Sequence, residues 1–173
     1  LKQRLCVSER KIVVYASTHP GEDELIMPMI KRLHHVDERF MAIVVPRHPE
    51  RFEAVYELAG HYKLNTVRLS SNDSCHSDTQ LVLGDTMGDM LAIYGLADVA
   101  FIGGSLIEQG GHNMLEAAAW SVPAIIGPSS HNFRSIVKSL ERMNGIIKVH
   151  DHLDLERIVT NWLKGQFDLS PYG

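Results

Sequence analysis

Residues 97–128, ADVAFIGGSLIEQGGHNMLEAAAWSVPAIIGP, decide how this chain folds. Residues 98–102 read as a short apolar strand. Gly103-Gly104 and Gly110-Gly111 bracket the loop that follows, His112 or Asn113 is expected to open a helix, and residues 123–126 form the next strand. Paired glycines let backbone approach a bulky group, and a helix N-terminus carries partial positive charge. The group expected at this loop is therefore anionic, such as a phosphate.

The same alternation extends in both directions. Toward the N-terminus, KIVVYA (residues 11–16) is a β-branched strand, and STHPGED offers Ser, Thr and Asp as caps for a helix through about His35, with Pro28 its weak point. Residues 40–45 form a second strand. PRHPE then turns into a helix reaching about His61, in which Phe52, Val55, Tyr56 and Ala59 recur at helical spacing. Residues 66–69 are a third strand, and SSNDSCHSDT (residues 70–79) is a polar surface loop that is also a candidate partner surface. Residues 81–83 lead into GDTMGD and a helix over 89–96. Beyond the opening stretch come a helix over 133–142, a strand over 145–149 and a helix over 153–164.

Strand and helix in alternation give parallel strands joined by right-handed crossovers: an α/β doubly wound sheet with helices on both faces. Such sheets bind ligands outside the carboxyl ends of their strands. STHPGED, PRHPE, GDTMGD and GGSLIEQGGHN each follow a predicted strand, so all four are expected on one rim.

At 173 residues the chain has the size of one domain, and 45% hydrophobic with 22% charged residues suits a soluble globular protein. A net charge of -4 gives no footprint for nucleic acid. Cys6 and Cys75 have no metal-like spacing, which fits a reducing compartment and a cytoplasmic location, with a disulfide left open. No apolar run approaches the roughly 20 residues of a membrane span, and no signal peptide opens the chain. Leu1 stands where an initiator Met would, so the chain reads as a domain taken from a longer protein.

In GGHNMLE, His112, Asn113 and Glu116 are expected to share the first turn of a helix. Glu116 can accept hydrogen bonds from both hydroxyls of a ribose. Alternatively, Asn113 caps the helix and Glu116 supports its first turn, which leaves four glycines unexplained. Arg47 can take a phosphate or carboxylate in two parallel hydrogen bonds, or be solvated surface, with His48 beside it as a ligand contact or a cap before Pro49. Thr86, Met87 and Gly88 offer a hydroxyl, a flank for a base and backbone N–H groups; a plain turn capped by Asp85 or Thr86 explains them equally. Ser17, Thr18 and His19 are polar donors at the first strand's end, with capping the simpler account. GxGxxG after the first strand, GxxxxGK[ST], GxSxG and a Cys-His nucleophile are all missing; His48 has no second His or Cys at ligand spacing beside it, and His34 and His35, near the end of an exposed helix, are expected to interact with the helix dipole and not to bind metal.

Taken in order, ASTHPGEDE, PRHPERF, GDTMGDM and the opening stretch resemble the C-terminal domain of 3-deoxy-D-manno-octulosonic acid (Kdo) transferases, over about residues 12–138. The resemblance implies the C-terminal half of a GT-B glycosyltransferase, in which two Rossmann-like domains face across a cleft and residues 1–173 form the donor-binding one. It implies CMP-Kdo as donor and a lipid A precursor (lipid IVA) as acceptor, the latter on the N-terminal domain. By motif, Arg47 contacts the donor, Met87 and Gly88 lie along the nucleotide, and Asn113 and Glu116 hold phosphate and ribose, with Gly110, Gly111 and His112 in the same grip. The family's catalytic base is a glutamate of the N-terminal domain, so no catalytic residue is expected in this chain, which should bind CMP weakly and transfer no sugar. Transfer is implied to be inverting, without metal or cofactor, at the cytoplasmic face of the inner membrane, where the N-terminal part holds the enzyme. Two other readings share these residues: a GT-B transferase or epimerase using a UDP-sugar, and a non-catalytic nucleotide-binding domain.

Overall fold

A strand buried on both faces carries an unbroken apolar run, and IVVYA (residues 12–16) and FMAIVV are two such runs. In the computed structural model, which describes Leu5 and residues 7–173, they form β1 (Lys11–Thr18) and β2 (Phe40–Pro46) at the middle of the sheet. Successive side chains point to opposite faces. Val13 and Tyr15 of β1 enter one core layer, Ile12, Val14 and Ala16 the other, and all five are buried.

Five more strands complete a seven-stranded sheet in the order β3-β4-β2-β1-β5-β6-β7: β3 (Thr66–Arg68), β4 (Leu81–Leu83), β5 (Val99–Ile102), β6 (Ala124–Ile126) and β7 (Ile146–Lys148). Every pairing is parallel. Helices α1 (Asp23–Val36), α2 (Phe52–His61) and α6 (His152–Leu163) pack on the Tyr15 face; α3 (Met90–Tyr94), α4 (Leu115–Ala118) and α5 (Arg134–Arg142) pack on the Val14 face. The doubly wound α/β fold expected from the sequence is thus the fold observed. From β1 the chain passes to β2, then to β3 at the sheet edge and back to β4 between them, before crossing to β5 on the other side of β1. The reversal between β1 and β5 is where open α/β sheets place their ligands.

Two local expectations fail. Helix α4 opens at Leu115, not at His112 or Asn113, and runs for only four residues. STHPGED supplies no side-chain cap: Glu22 stands at the N-cap of α1 without a capping bond, because its carboxylate is engaged elsewhere. Pro28 does not break α1, whose buried Ile26, Met27, Met29, Ile30 and Leu33 hold the helix on the core from both sides of the proline. Cys6 lies outside the described residues, while Cys75 is buried. Among the described residues no helix is long and apolar enough to cross a membrane.

Candidate functional site

The loops after β1, β2, β4 and β5 meet at the carboxyl edge of the sheet and enclose a cleft of about 290 Å³. Ser17, Arg47, Thr86, His112, Asn113 and Glu116 line it with polar groups; Val45, Phe52, Met90 and Tyr94 form apolar wall. Met87 is 71% exposed at its mouth, next to Gly88. The four motif loops therefore share one rim. Thr18, His19, His48, Gly110 and Gly111 do not line the cleft, although His19 and His48 are connected to it through ring contacts.

The glycine loop works differently from its expected role. Gly110 N–H donates to Ser129 Oγ at 3.0 Å, and Gly111 N–H donates to the Gly104 carbonyl at 2.8 Å. These donors fold the loop and are not turned to a ligand. Gly103 is needed because a Cβ there would collide with the Ser17 carbonyl, and Gly110 because its φ is +89° and a Cβ would strike Asn132. Close packing of the loop thus accounts for glycines that capping left unexplained. His112 and Asn113 precede α4, and Glu116 is its second residue, so the three do not share a first turn. A four-residue helix has too few aligned peptides for a useful macrodipole. Asn113 Oδ1 accepts from Leu115 N–H at 3.0 Å in a local turn one residue ahead of the N-cap, Met114, so it is not the helix cap, and its amide N–H groups remain.

Positive charge at the rim comes from side chains instead. Arg47 is exposed, and among the described residues its guanidinium joins no ion pair. Arg51, which the sequence reading passed over, forms an ion pair with buried Asp23 at 2.6 Å and donates to the Thr18 carbonyl at 3.2 Å. Arg47 N–H donates to the same carbonyl, so the ends of β1 and β2 are tied together behind the cleft. Burial, with neighbouring His48, Arg51 and Arg47, holds His19 below the usual imidazole pKa. Burial first, then His19, Arg47 and His48, pushes His112 down to about 4. Both rings are neutral at neutral pH. Thr86 Oγ1 is buried and has no hydrogen-bond partner, an arrangement that native proteins seldom keep without a use. The Tyr94 hydroxyl is shifted upward by burial and then by the Glu116 carboxylate.

A second missed residue, Glu22, fixes the geometry of the site. Its Oε2 accepts from His19 N–H at 3.1 Å and Gly104 N–H at 2.7 Å, and its Oε1 accepts from Ser105 and Leu106 N–H, both at 3.1 Å. Burial pushes this carboxyl up, against the four backbone donors that pull it down. Glu22 therefore staples the β1 loop, which carries His19, to the β5 loop, which leads to His112. Asp85 is a similar tie and not a helix cap. It accepts from Ser70 N–H at 2.8 Å and from Arg68 Nε at 2.7 Å, anchoring the 70–79 loop. Among the described residues, no three His, Cys, Asp or Glu side chains gather as a metal site would require.

No protein-family model matches the chain. Two curated proteins named 3-deoxy-D-manno-octulosonic acid transferase are similar to it. The one from Haemophilus influenzae is 41% identical over 152 residues, which is 87% of this chain and 36% of that protein. The one from Rickettsia prowazekii is 35% identical over 92% of this chain and 34% of that protein. The chain thus spans about a third of the length of the curated relatives it matches. Among solved structures, the C-terminal CMP-Kdo binding domain of WaaA from Acinetobacter baumannii superposes with a TM-score of 0.85 at 36% identity, covering 96% of this chain and 91% of that one. Strand order, the four loops on one rim and a match over nearly the whole of both chains agree: this chain belongs to the Kdo transferase family, as a counterpart of its C-terminal domain.

Proposed function

We propose that this chain is the donor-binding domain of a Kdo transferase and that the cleft holds CMP-Kdo by its nucleotide end. The observation that carries the reading is the set of polar side chains lining one cavity, among them the Arg47 guanidinium without an ion pair, His112, and Thr86, whose buried hydroxyl has no hydrogen-bond partner. Arg47 and His112 meet the phosphate. The remaining N–H groups of Asn113 reach the same anion, Glu116 takes the ribose hydroxyls, and Met87 and Gly88 run along the base. His48, Gly110 and Gly111 then support the site from behind, as do Thr18 and His19.

CMP leaves Kdo with charge developing on its phosphate, and preorganised donors in a partly desolvated cleft favour that charge. In the reaction we propose, a base outside this chain deprotonates a sugar hydroxyl of the lipid A precursor. The resulting oxygen displaces CMP from the Kdo anomeric carbon with inversion, while side chains and not a metal ion meet the leaving phosphate. In this reading, acceptor binding, the base and attachment at the cytoplasmic face of the inner membrane belong to an N-terminal domain of the enzyme. The 173 residues by themselves should bind CMP and transfer no Kdo.

Amide chemical-shift mapping with CMP tests the site. Shifts should concentrate in residues 45–48, 86–90 and 112–116. A footprint on α5 or α6 instead would overturn the placement.

A further inference from the structure

His112 lines the cleft, and one edge of its ring is fully engaged. Its Nε2 lies 2.6 Å from Nε2 of His19. The two rings are parallel within 2°, with centroids 4.9 Å apart. Rings stacked face to face cannot bring two nitrogens that close, so these rings lie tip to tip in one plane, as an N–H···N hydrogen bond requires. The Cδ2–Nε2 side of His112 also faces Gly104, which leaves the Nδ1 edge for the cleft.

One proton occupies such a contact when both imidazoles are neutral. If it belongs to His112, that ring turns a bare Nδ1 lone pair to the cleft, which repels an anion. If it belongs to His19, His112 must carry its own proton on Nδ1 and offers an N–H. The surroundings keep the pair neutral. Arg47 and His48 face it from the end of β2, with the His48 ring edge-on to His19 at 5.6 Å, and Arg51 faces it from the next turn. Asp23 is paired to Arg51, Glu22 is filled by four backbone N–H groups, and Glu116 stands on α4 across the cleft. Burial and the cationic neighbours hold both rings below the ordinary imidazole range.

We propose that His19 is a positioning residue: its Nε2–H holds His112 in the Nδ1–H tautomer, so that a neutral His112 donates a hydrogen bond to an anionic oxygen bound beside Arg47. The inference rests on the cleft being the nucleotide phosphate site. His19 reaches no ligand itself and acts through the neighbouring ring.

The test combines ¹⁵N spectra of the histidine rings with CMP titrations of wild type, His19→Ala and His19→Gln. In the CMP complex of the wild type, His112 should show a protonated Nδ1 and a bare Nε2. His19→Ala should weaken CMP binding on the order of tenfold, the loss of one hydrogen bond to a charged group. His19→Gln, whose amide can donate the same bond, should restore most of the affinity and the same tautomer, which a merely structural role would not predict. A protonated Nε2 on His112 in the complex, or unchanged affinity in His19→Ala, overturns this inference and leaves the nucleotide site standing. Failure of the wild type to bind CMP removes both.

Discussion

Glu22 concentrates more of the site's geometry than any other side chain, and Glu22→Gln should show it. The carboxamide keeps one oxygen, so it can serve one pair of donors, either His19 and Gly104 or Ser105 and Leu106. Its NH2 then faces the other pair, two N–H groups in a region with no exposed surface at Glu22 or Ser105. Each buried donor left without an acceptor costs about 1–3 kcal/mol, so with two of them the variant should lose about 2–6 kcal/mol. For a domain of this size that corresponds to a drop in Tm of about 4–24 °C. Scanning calorimetry of Glu22→Gln beside Glu24→Gln provides the assay, because Glu24 accepts a single bond, from Gly21 N–H, at the surface. The control should stay within about 0.5 kcal/mol of wild type. Loosening the staple also separates the loops bearing His19 and His112, so CMP affinity should fall with stability. A Glu22→Gln protein that melts with the wild type would refute the idea that this carboxylate holds the two loops.

Other expectations follow from the same structure. Folded His112 has its pKa lowered to about 4 from 6.5, so an unfolded chain takes up a proton in that interval that the folded one refuses. Wild-type stability should therefore fall as pH drops from about 6.5 to about 4, and urea titrations of His112→Gln should show a shallower fall. Asp37 behaves in the opposite sense: the Arg39 side chain, assisted by Lys11, holds its carboxyl well below the usual aspartate value. That contribution is present above the unfolded aspartate pKa, so Asp37→Asn should be less stable than wild type at neutral pH. The gap should close as pH falls through the depressed folded pKa. Glu116→Ala should lose CMP affinity while keeping its Tm, since Glu116 caps nothing; a loss of about 0.5–2 kcal/mol with affinity intact would instead mark a capping role.

The parts of this fold that were legible in the sequence are those determined by short-range pattern. IVVYA (residues 12–16) and FMAIVV are apolar at every position because both faces of β1 and β2 are buried, and that same burial puts them at the centre of the sheet. The convergence of four loops followed from parallel strands alone, without knowledge of which strands are neighbours. What the sequence hid depends on partners distant along the chain. Glu22 had no role legible in the sequence: three of its four donors lie 82 to 84 positions away and are backbone groups, which leave no trace in residue type. Its spacing of three from His19, whose N–H it also accepts, was the one local signal. Arg51 was passed over because its partner, Asp23, sits on another element. The glycines misled for a related reason: they announce close approach, but what approaches at Gly103 and Gly110 is the protein's own loop.

Isothermal titration of this 173-residue chain with CMP and with UDP, repeated on Arg47→Ala, tests the nucleotide assignment most directly. CMP should bind the wild type, UDP should bind far more weakly, and removing the guanidinium should weaken CMP on the order of tenfold without lowering Tm. Preference for UDP, or CMP binding indifferent to Arg47, would contradict a cleft built for the CMP end of a Kdo donor.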